Sequence, residues 1–524
     1  MGNLSKIFGL GRSGYVAATK CGRLFTRKGC GRLAGVLLVF AITCVWNPLA
    51  EAKYGGGSGT QQEPYLISTA EQLNTIGANQ SDWNKHFKLT ADIDLSGYTG
   101  TEFNTIGYYI SSIDNKAFTG VFEGNGHAIF NFSFTSTGRD YIGLFGYVSD
   151  PNAEIKDLRL IDPNLDAGIA WNIGPLVGQL SGGTITNCCV DGGSISGVGG
   201  LGGLVVVNSG TITDCSSSAS ISGESGIGGL VASNDGTITN CYSSGDLHGF
   251  SDVGGLVAFN GGTISNCYSD ANVSEMQIMG GLVGRNDGTI TCCYSSGDVS
   301  GCMAIGGLVG GNWGIITNCY TATSVSGTDD MGGLVGINSQ GTIINCYSIG
   351  SVTVRNGLAG LTAYNSGHNA TISNCYALGS VSDSYDIGGL VGEDSGGLYT
   401  KCFWDNTVNS SLTGIGNTTD PNVIGESTTN MQTQSTFTSA GWDFVNIWDI
   451  CEGTNYPKFL WQIPIGDFLC PDGVNFFDYS FFAGHWAEDN CGASNDCGGT
   501  DLDKLGSVDI NDLRIFVDNW LAGL

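Results

Sequence analysis

The chain has 524 residues with 48 acidic and 20 basic side chains, which gives a net charge of −28. Residues 1–52 hold seven of the basic residues and one acid, so the remainder carries 13 basic and 47 acidic residues, a net charge of −34. A surface this acidic repels polyanions, which argues against nucleic acids and anionic membranes as partners. It favours a soluble exported protein that is able to gather calcium.

Residues 1–52 have the composition of an export signal. Basic residues are spread from Lys6 to Arg32, an apolar run follows from Leu33 to Trp46, and Ala50-Glu51-Ala52 supplies a small-x-small cleavage site. The run is shorter than a membrane-spanning helix needs, so an uncleaved anchor is the minor alternative. The rest of the sequence has no long apolar segment. We therefore predict a secreted protein, extracellular or at the cell surface, with no integral membrane span after signal cleavage.

Residues 53–173 have no fixed period but keep the glycine-rich texture of the following segment. The stretch from Pro64 to Leu73 predicts a strand that leads into a short helix. Phe118 to His127 and Tyr141 to Val148 predict strand pairs joined by glycine turns.

Residues 174–402 repeat one pattern nine times, most clearly from Gly228 to Gly249. A fixed period of this length indicates a solenoid, in which each unit buries its apolar face against its neighbours. The anchoring leucines recur every 26 to 29 residues, at Leu176, Leu204, Leu230, Leu256, Leu282, Leu308, Leu334, Leu361 and Leu390.

Each repeat holds three short apolar runs bounded by turn-forming residues, which predicts strands. Examples of the first two runs are Gly280 to Val283 and Thr237 to Tyr242. Three strands and three bends describe one coil of a three-sided parallel β-helix. The predicted fold is therefore mainly β, a right-handed parallel β-helix with a small α-helical tail. The apolar positions of the third run are Ile195, Ile221, Leu247, Val273, Val299, Val325, Val352 and Val381.

Stacked coils turn three repeat positions into ladders of similar side chains. We interpret the cysteines as small buried hydrophobic groups, since parallel in-register neighbours suit disulfide geometry poorly, and zinc or redox chemistry is the weaker alternative. The asparagines predict a bend whose amides bond coil to coil. The tyrosines either pack inside or form an outward stripe, and a structural stack is favoured over a sugar-binding platform. The ladders are Cys188, Cys215, Cys241, Cys267, Cys293, Cys319, Cys346, Cys375 and Cys402; Asn187, Asn240, Asn266, Asn318, Asn345 and Asn374; and Tyr242, Tyr268, Tyr294, Tyr320, Tyr347, Tyr376 and Phe403.

These residues resemble the GLUG repeat, which is named for its Gly-Leu-Val/Ala-Gly core and occurs in bacterial secreted and surface proteins. The resemblance covers 174–402. It implies a β-solenoid stalk of the kind attached to adhesins, peptidases or polysaccharide-associated proteins. It also implies that 53–173 forms an N-terminal cap and opening β-helix coils, and a cap is physically needed because an open first coil exposes unpaired strand edges.

The segment 403–465 breaks the period and supplies a dense apolar set, which predicts a C-terminal cap or linker. Residues 466–524 then hold a second repeat with an offset of 34 residues. Each copy predicts one helix with apolar residues at i, i+3, i+4 and i+7. The two predicted faces are Tyr479, Phe482, Ala483 and Trp486, and Leu513, Phe516, Val517 and Trp520.

The loop before the second of these helices has the spacing of a calcium-binding loop. It offers side-chain oxygens at positions 1, 3, 9 and 12, a sharp-turn glycine, Gly506, at position 6, and a backbone carbonyl at position 7. Position 5 is Leu505, which predicts weak affinity, and an acidic helix cap without metal is the alternative. The predicted ligands are Asp501, Asp503, Ser507, Asp509 and Asp512.

The loop before the first helix keeps fewer of these ligands. Asp467, Asn475 and Asp478 fit positions 1, 9 and 12, whereas Leu469 and Pro471 occupy positions 3 and 5. This loop is therefore a weaker candidate for calcium binding, and a metal-free helix cap fits it equally well.

The two loop–helix units, 467–524, resemble a type I dockerin, an EF-hand-like domain found on exported bacterial polysaccharide-degrading systems. The resemblance implies calcium as cofactor and a cohesin-like receptor as partner of the tail. Cys491 and Cys497 flank the joint between the units, which favours a disulfide outside the cell, and Cys451 with Cys470 is a weaker candidate pair.

Two functions stay open. The first is a noncatalytic secreted binding, adhesion or scaffold protein whose β-solenoid contacts polysaccharide or a cell-surface partner. The second is a polysaccharide hydrolase or lyase, by analogy with other β-helices. Equivalent acids in the regular coils 204–338 are never on neighbouring coils, and the closest pairs, two coils apart, would lie ~9.6 Å apart, the outer limit for an inverting pair. No histidine motif of a known catalytic type occurs, so the residues favour the first function.

Overall fold

The computed structural model describes residues 53–135, 138–166, 168–355, 359–382, 387–470, 473–493, 495–520 and 522. The predicted signal segment, 1–52, lies outside the described residues. From Tyr65 to Glu426 the chain winds into a parallel β-solenoid of about 13 turns with three sides. The GLUG-like coils, 174–402, are thus part of a longer stack, which extends beyond them at both ends.

The three sides are three parallel sheets. Sheet 1 contains Tyr65–Ile67, His86–Leu89, Val121–Glu123, Glu154–Lys156, Thr184–Thr186, Thr211–Thr213, Thr237–Thr239, Thr263–Ser265, Thr289–Thr291, Ile315–Thr317, Thr342–Ile344, Thr371–Ser373 and Leu398–Thr400. Sheet 2 contains Ile93–Asp94, Ala128–Phe130, Arg159–Ile161, Cys189–Asp191, Ser216–Ser217, Tyr242–Ser243, Tyr268–Ser269, Tyr294–Ser295, Tyr320–Thr321, Tyr347–Ser348, Tyr376–Ala377, Cys402–Asp405 and Val423–Glu426.

Sheet 3 is the widest side. It contains Ser133–Thr135, Phe145–Val148, Asn164–Asp166, Trp171–Ile173, Val177–Leu180, Ser194–Ser196, Gly199–Gly202, Val205–Asn208, Ser220–Gly228, Val231–Asn234, Asp246–Gly254, Val257–Asn260, Asn272–Gly280, Val283–Asn286, Val299–Gly306, Val309–Asn312, Val325–Ser339, Val352–Val354, Ala359–Ser366, Val381–Ser382, Gly388–Ser395 and Thr413–Ile415. Two antiparallel hairpins lie outside the stack, Tyr108–Tyr109 with Asn115–Lys116 and Trp448–Asp449 with Lys458–Phe459.

The helices are few and short. They are α1 (Ala70–Ala78), α2 (Thr428–Met431), α3 (Gln434–Thr438), α4 (Phe476–Gly484) and α5 (Ile510–Asp518), with single turns at Gln80–Asp82, Leu460–Gln462, Cys491–Ala493 and Asn495–Gly498. The strand and helix predicted from Pro64 to Leu73 are present as Tyr65–Ile67 and α1. Helix α1 begins after Thr69, whose hydroxyl accepts a hydrogen bond from the Gln72 N–H, and it buries Leu73 and Ile76.

The three-sided coil is confirmed, but its corners fall in different places from those predicted. The run from Thr237 to Tyr242 is not one strand, because Asn240 turns the chain with φ 54° and sends its two halves into sheets 1 and 2. Asparagine tolerates this left-handed conformation better than other side chains. The two remaining runs of each repeat share sheet 3, as in Asp246–Gly254 and Val257–Asn260.

The predicted asparagine bend is confirmed. All six ladder asparagines have φ between 50° and 54°. Their amides bond from coil to coil, with Asn345 Nδ2 3.0 Å from Asn318 Oδ1 and Asn374 Nδ2 3.3 Å from Asn345 Oδ1. The leucines also stack as coil neighbours, since the Leu230 N–H donates to the Leu256 carbonyl at 2.9 Å.

The cysteine ladder lies inside the solenoid, as predicted. All nine side chains are buried and their thiols are free. The Cys241 thiol donates to the Thr239 carbonyl at 3.1 Å, and the Cys241 N–H donates to the Cys267 sulfur at 3.3 Å. Desolvation raises the pKa of the Cys293 and Cys319 thiols well above the usual range. These thiols are therefore protonated core groups with little nucleophilic character.

We expect titration of unfolded, unreduced protein comprising residues 53–524 to find 12 reactive thiols. The 16 cysteines of this segment comprise 12 free thiols and two disulfides, Cys451–Cys470 and Cys491–Cys497. In the folded protein the ladder thiols should react far more slowly, because burial shields all nine from reagent. A count near zero after unfolding would contradict the buried-thiol interpretation. The same titration after reduction, which should give 16, is the control.

A second asparagine ladder, absent from the sequence predictions, runs inside the solenoid three residues after the Gly-Gly-Leu-Val run. Each Nδ2 donates to the Oδ1 of the next coil at 2.7 to 2.8 Å. The last amide, Asn365, meets Asp394 Oδ1 at 3.3 Å and the Tyr399 hydroxyl at 2.9 Å. The ladder satisfies amides that would otherwise be costly to bury. Its members are Asn208, Asn234, Asn260, Asn286, Asn312, Asn338 and Asn365, all 2% exposed or less.

Candidate functional site

The C-terminal tail consists of two loop–helix units that pack on each other through a small core. Helices α4 and α5 contribute Phe482 and Phe516, and the loops contribute Val474 and Val508. The disulfide Cys491–Cys497 belongs to the same core. A second disulfide, Cys451–Cys470, joins the tail to the segment that precedes it. Both candidate disulfides from the sequence are therefore present.

The predicted helix faces are only partly buried. Phe482 and Phe516 lie in the core, and Leu513 and Trp520 pack partly against it. Val517, Tyr479 and Trp486 are instead exposed, so each predicted apolar face is buried over only part of its length. The reason is geometric: two short helices meet along one line of contact, and a residue one position away from that line points to solvent.

Three of the predicted calcium ligands converge in the second loop. One carboxylate oxygen from each of Asp501, Asp503 and Asp512 lies within 4.8 Å of the others. Asp501 is 1% and Asp512 0% exposed. The loop thus holds two almost fully buried carboxylates beside a third one.

Backbone N–H groups hold these carboxylates in place. The Asp501 carboxylate accepts from the Leu505 N–H at 3.2 Å and the Gly506 N–H at 2.9 Å. The Asp512 carboxylate accepts from the Asp503 N–H at 2.9 Å and the Asp509 N–H at 2.8 Å. Gly506 has φ 93°, which is the sharp turn predicted at position 6.

The other two predicted ligands have different contacts. Asp509 caps α5, because its Oδ1 accepts from the Asn511 N–H at 2.7 Å. Ser507 forms an antiparallel bridge with Asp489. The structure therefore brings three of the five predicted ligands together, and calcium binding by all five stays a prediction.

The donor set suits a hard cation. Desolvation, together with the negative charges of Asp512, Asp509 and Asp501, raises the pKa of Asp503 above its usual range. The nearby Lys504 ammonium pairs with Asp496. Carboxylate oxygens on a glycine-containing loop are the ligands that Ca²⁺ prefers, and a bound cation would relieve the mutual repulsion of these acids.

The first loop has a similar hydrogen-bond pattern but no comparable cluster among the described residues. The buried Asp478 carboxylate accepts from the N–H groups of Phe468, Leu469 and Asn475. Asp467 accepts from the Gly473 N–H at 2.9 Å. Leu469 offers a half-exposed apolar side chain where the second loop has Asp503, and Pro471 lies outside the described residues.

The tyrosine ladder faces outward from sheet 2. Neighbouring rings from Tyr242 to Tyr376 stack with centroids 4.8 to 5.1 Å apart and interplanar angles of 5° to 12°. The segment after Glu426 folds back over the last rings: Trp448 and Phe459 pack on Tyr347, and the Tyr376 hydroxyl donates to the Pro457 carbonyl. Tyr376 is consequently 1% exposed, whereas Tyr242 at the other end is 41% exposed.

Comparison with known proteins gives the repeat its name. The family model of the GLUG motif matches residues 223–247, 251–274 and 328–353. The chain carries GLUG repeats. Halomucin of Haloquadratum walsbyi is 30% identical over 224 residues, which are 41% of this chain and 2% of halomucin. A protein provisionally named as a Gly-rich membrane protein of Evansella cellulosilytica is 33% identical over 168 residues, 30% of this chain and 18% of that protein.

This chain therefore spans only a small part of the length of these relatives. Among solved structures, a candidate immunoglobulin A1 protease from Bacteroides ovatus aligns with 78% of this chain and 96% of its own, at 18% identity and a TM-score of 0.34. Within the described residues, the GLUG solenoid and its tail contain no helix that is both long and apolar enough to cross a membrane.

Proposed function

We propose that this protein is an exported, noncatalytic binding or scaffold protein with a calcium-dependent docking tail. In this proposal the GLUG solenoid contacts polysaccharide or a cell-surface partner, and the dockerin-like tail binds a cohesin-like receptor. The observation that carries the proposal is the convergence of Asp501, Asp503 and Asp512 at the start of α5.

Calcium would act on the tail through these residues. Asp501, Asp503 and Asp512 would hold it, and the loop spacing adds Asp509 and the Ser507 carbonyl as further ligands. The ion supplies the positive charge that the loop lacks. Because binding favours the folded loop, calcium should stabilise the tail by mass action.

The tail also presents a surface suited to a protein partner. A cavity of about 380 Å³ lies between the helices and is lined by Tyr479, Phe482, Ala483, Trp486 and Leu513. Exposed aromatic residues of this kind are enriched at the centres of protein interfaces. Calcium binding at the start of α5 would fix the helix that carries one wall of this cavity, which links the metal to docking.

Two further findings support a surface setting. The relatives are named halomucin and a Gly-rich membrane protein. One disulfide lies within the tail and a second joins the tail to the segment before it, and disulfides persist in oxidising compartments outside the cytosol. Together with the predicted signal segment, they support placing this protein outside the cell or at its surface.

We expect calcium to slow amide hydrogen exchange in residues 500–520 of the protein comprising residues 53–524. The physical reason is that the ion joins three mutually repelling carboxylates and so favours the closed loop. The apparent affinity should lie near ~10⁻⁴ to 10⁻³ M, the weak end of the extracellular range, because position 5 has no oxygen. Exchange measured by mass spectrometry during a calcium titration tests this expectation.

Asp501→Ala should abolish the calcium-dependent protection and leave exchange in the solenoid unchanged. The matched control is Asp518→Ala, which removes an exposed acid from the end of α5, outside the carboxylate cluster. Equal exchange in residues 500–520 with and without millimolar calcium would refute the docking tail as a calcium-dependent device.

A further inference from the structure

The open end of the tyrosine ladder borders a groove at the corner between sheets 1 and 2. In the strand register of sheet 2, the position of Tyr242 is occupied by Ser216 one coil earlier, by Cys189 before that, and by Arg159 before that. Beyond the end of the tyrosine row, the same strand position therefore holds two small side chains, those of Ser216 and Cys189. They leave a cavity of about 470 Å³ that reaches from Arg159 to Tyr242.

Tyr242 offers the cavity one free ring face. Tyr268 stacks on its other face at 5.1 Å with an angle of 5° between the planes. The stacked ring planes are roughly perpendicular to the axis along which the tyrosines follow one another. The free face of Tyr242 therefore points toward the preceding coil, which carries Ser216. With 41% of the residue exposed, this face is a ready platform for a flat apolar surface.

One side of the groove is polar and is built by the left-handed corner residues. Asp157, Asn187 and Asp214 have φ between 51° and 55° and line the cavity. Asn187 Nδ2 lies 2.6 Å from Asp157 Oδ1, and Asn240 Nδ2 lies 3.1 Å from Asp214 Oδ1. The corner thus alternates amides and carboxylates along the solenoid, each group held by its neighbour.

A ring face in one cavity with a row of carboxylates and amides fits a sugar. A pyranose has C–H groups that pack on an aromatic face, and hydroxyls that donate to carboxylates or bond to amides. The wall charge is negative, and the Arg159 guanidinium is already paired with Asp191 at 2.6 Å. An anionic sugar would therefore be repelled, and a neutral one would not.

The groove is long enough for a polymer. A second cavity of about 320 Å³ continues along the same corner and is lined by Asn240, Asn266, Tyr294 and Trp461, among others. The left-handed corner residues from Asp157 to Cys292 are separated by five coil-to-coil steps, a distance of ~24 Å at the strand spacing of a sheet. Trp461 adds a second aromatic platform, 6.5 Å from the Tyr294 ring.

We propose that these two cavities form one track for a neutral, hydroxyl-rich polysaccharide, with Tyr242 as the stacking platform at its open end. The proposal rests on the noncatalytic binding function proposed above and gives that function a site and a substrate class. Polysaccharide binding to this track should not require calcium, because the track lies on the solenoid and is separate from the tail loop.

The test is isothermal titration calorimetry of the protein comprising residues 53–524 with neutral hexasaccharides, namely cellohexaose, xylohexaose, mannohexaose and laminarihexaose. Hexagalacturonate serves as the anionic comparison, and reducing ends are measured in the same samples. We expect at least one neutral hexasaccharide to bind, hexagalacturonate not to bind, no reducing ends to be released, and the affinity to be unchanged by EDTA.

Three variants locate the site. Tyr242→Ala removes the platform, and Ser216→Tyr extends the ring stack by one coil and fills the groove; each should weaken binding about tenfold or more. Tyr242→Phe keeps the ring and should bind like the parent protein. Trp171→Ala removes an exposed aromatic residue from sheet 3 and is the matched control. Thermal unfolding confirms that each variant is folded.

The outcomes separate the two proposals. Binding that survives both Tyr242→Ala and Ser216→Tyr overturns the track and leaves the binding function in place. Release of reducing ends that depends on Tyr242 supports the track and overturns the noncatalytic function. Failure of all four neutral hexasaccharides to bind at millimolar concentration overturns the track itself.

Discussion

Gly255→Ala is expected to be among the most destabilising single substitutions in the solenoid. A methyl group at this position would lie 1.9 Å from the Gly281 carbonyl oxygen of the next coil and 2.3 Å from the Ser269 hydroxyl. The carbonyl is backbone and cannot rotate away, so the coils must separate. The hydrogen bond from the Gly255 N–H to the Gly280 carbonyl, 3.0 Å long, would be lost with them.

Overpacking of this kind costs about 3 kcal/mol or more. A solenoid is held by contacts between neighbouring coils, so the damage should centre on the coils of Gly255 and Gly281. We expect a lower midpoint of thermal unfolding and faster amide exchange in residues 240–295. Gly97→Ala is the control, because a methyl group there meets no atom within 4 Å. A Gly255→Ala protein as stable as the Gly97→Ala protein would contradict the close packing of coils.

The sequence predicted the period, the strands and the parallel stack, because these depend on spacing alone. It did not predict where the corners fall. The apolar run from Thr237 to Tyr242 reads as one strand, yet the left-handed turn at Asn240 divides it between two sheets. The same turn resets the alternation of inward and outward side chains, which is why the direction of Tyr242 could not be read from its neighbours.

The inner asparagine ladder was missed for a different reason. Rules that place apolar residues inside a fold assign Asn286 to the surface, and only the stacking of identical amides makes its burial tolerable. In the tail, the loop spacing did predict that Asp501, Asp503 and Asp512 lie close together, because the loop is a local sequence pattern. The groove beside Tyr242 combines residues from several coils, among them Asp157 and Asp214, so its discovery required the register between strands.

Asn286→Ala is expected to destabilise the solenoid by about 2–4 kcal/mol, since it leaves two buried polar groups without their amide partner. Asn286 Nδ2 donates to Asn312 Oδ1 at 2.8 Å, and its Oδ1 accepts from Asn260 Nδ2 at 2.8 Å. All three side chains are almost fully buried, so water cannot replace the lost bonds without opening the core. The control is Asn266→Gly at the exposed corner, where φ is 52° and glycine is well tolerated.

Asn286→Asp tests whether the ladder requires each side chain to donate a hydrogen bond to the next coil. A carboxylate cannot donate to Asn312, and burial without a cation should raise the pKa of the introduced group in the folded protein above its unfolded value of about 3.9. Because the folded protein then binds the proton more tightly, the variant should be most stable at low pH and lose stability as the pH rises through the raised folded-state pKa. A protonated carboxyl can donate to Asn312 and restore the ladder. Thermal unfolding of the Asn286→Asp and parent proteins between pH 4 and pH 7 measures this difference, and a pH-independent gap between them would show that the amide direction does not matter.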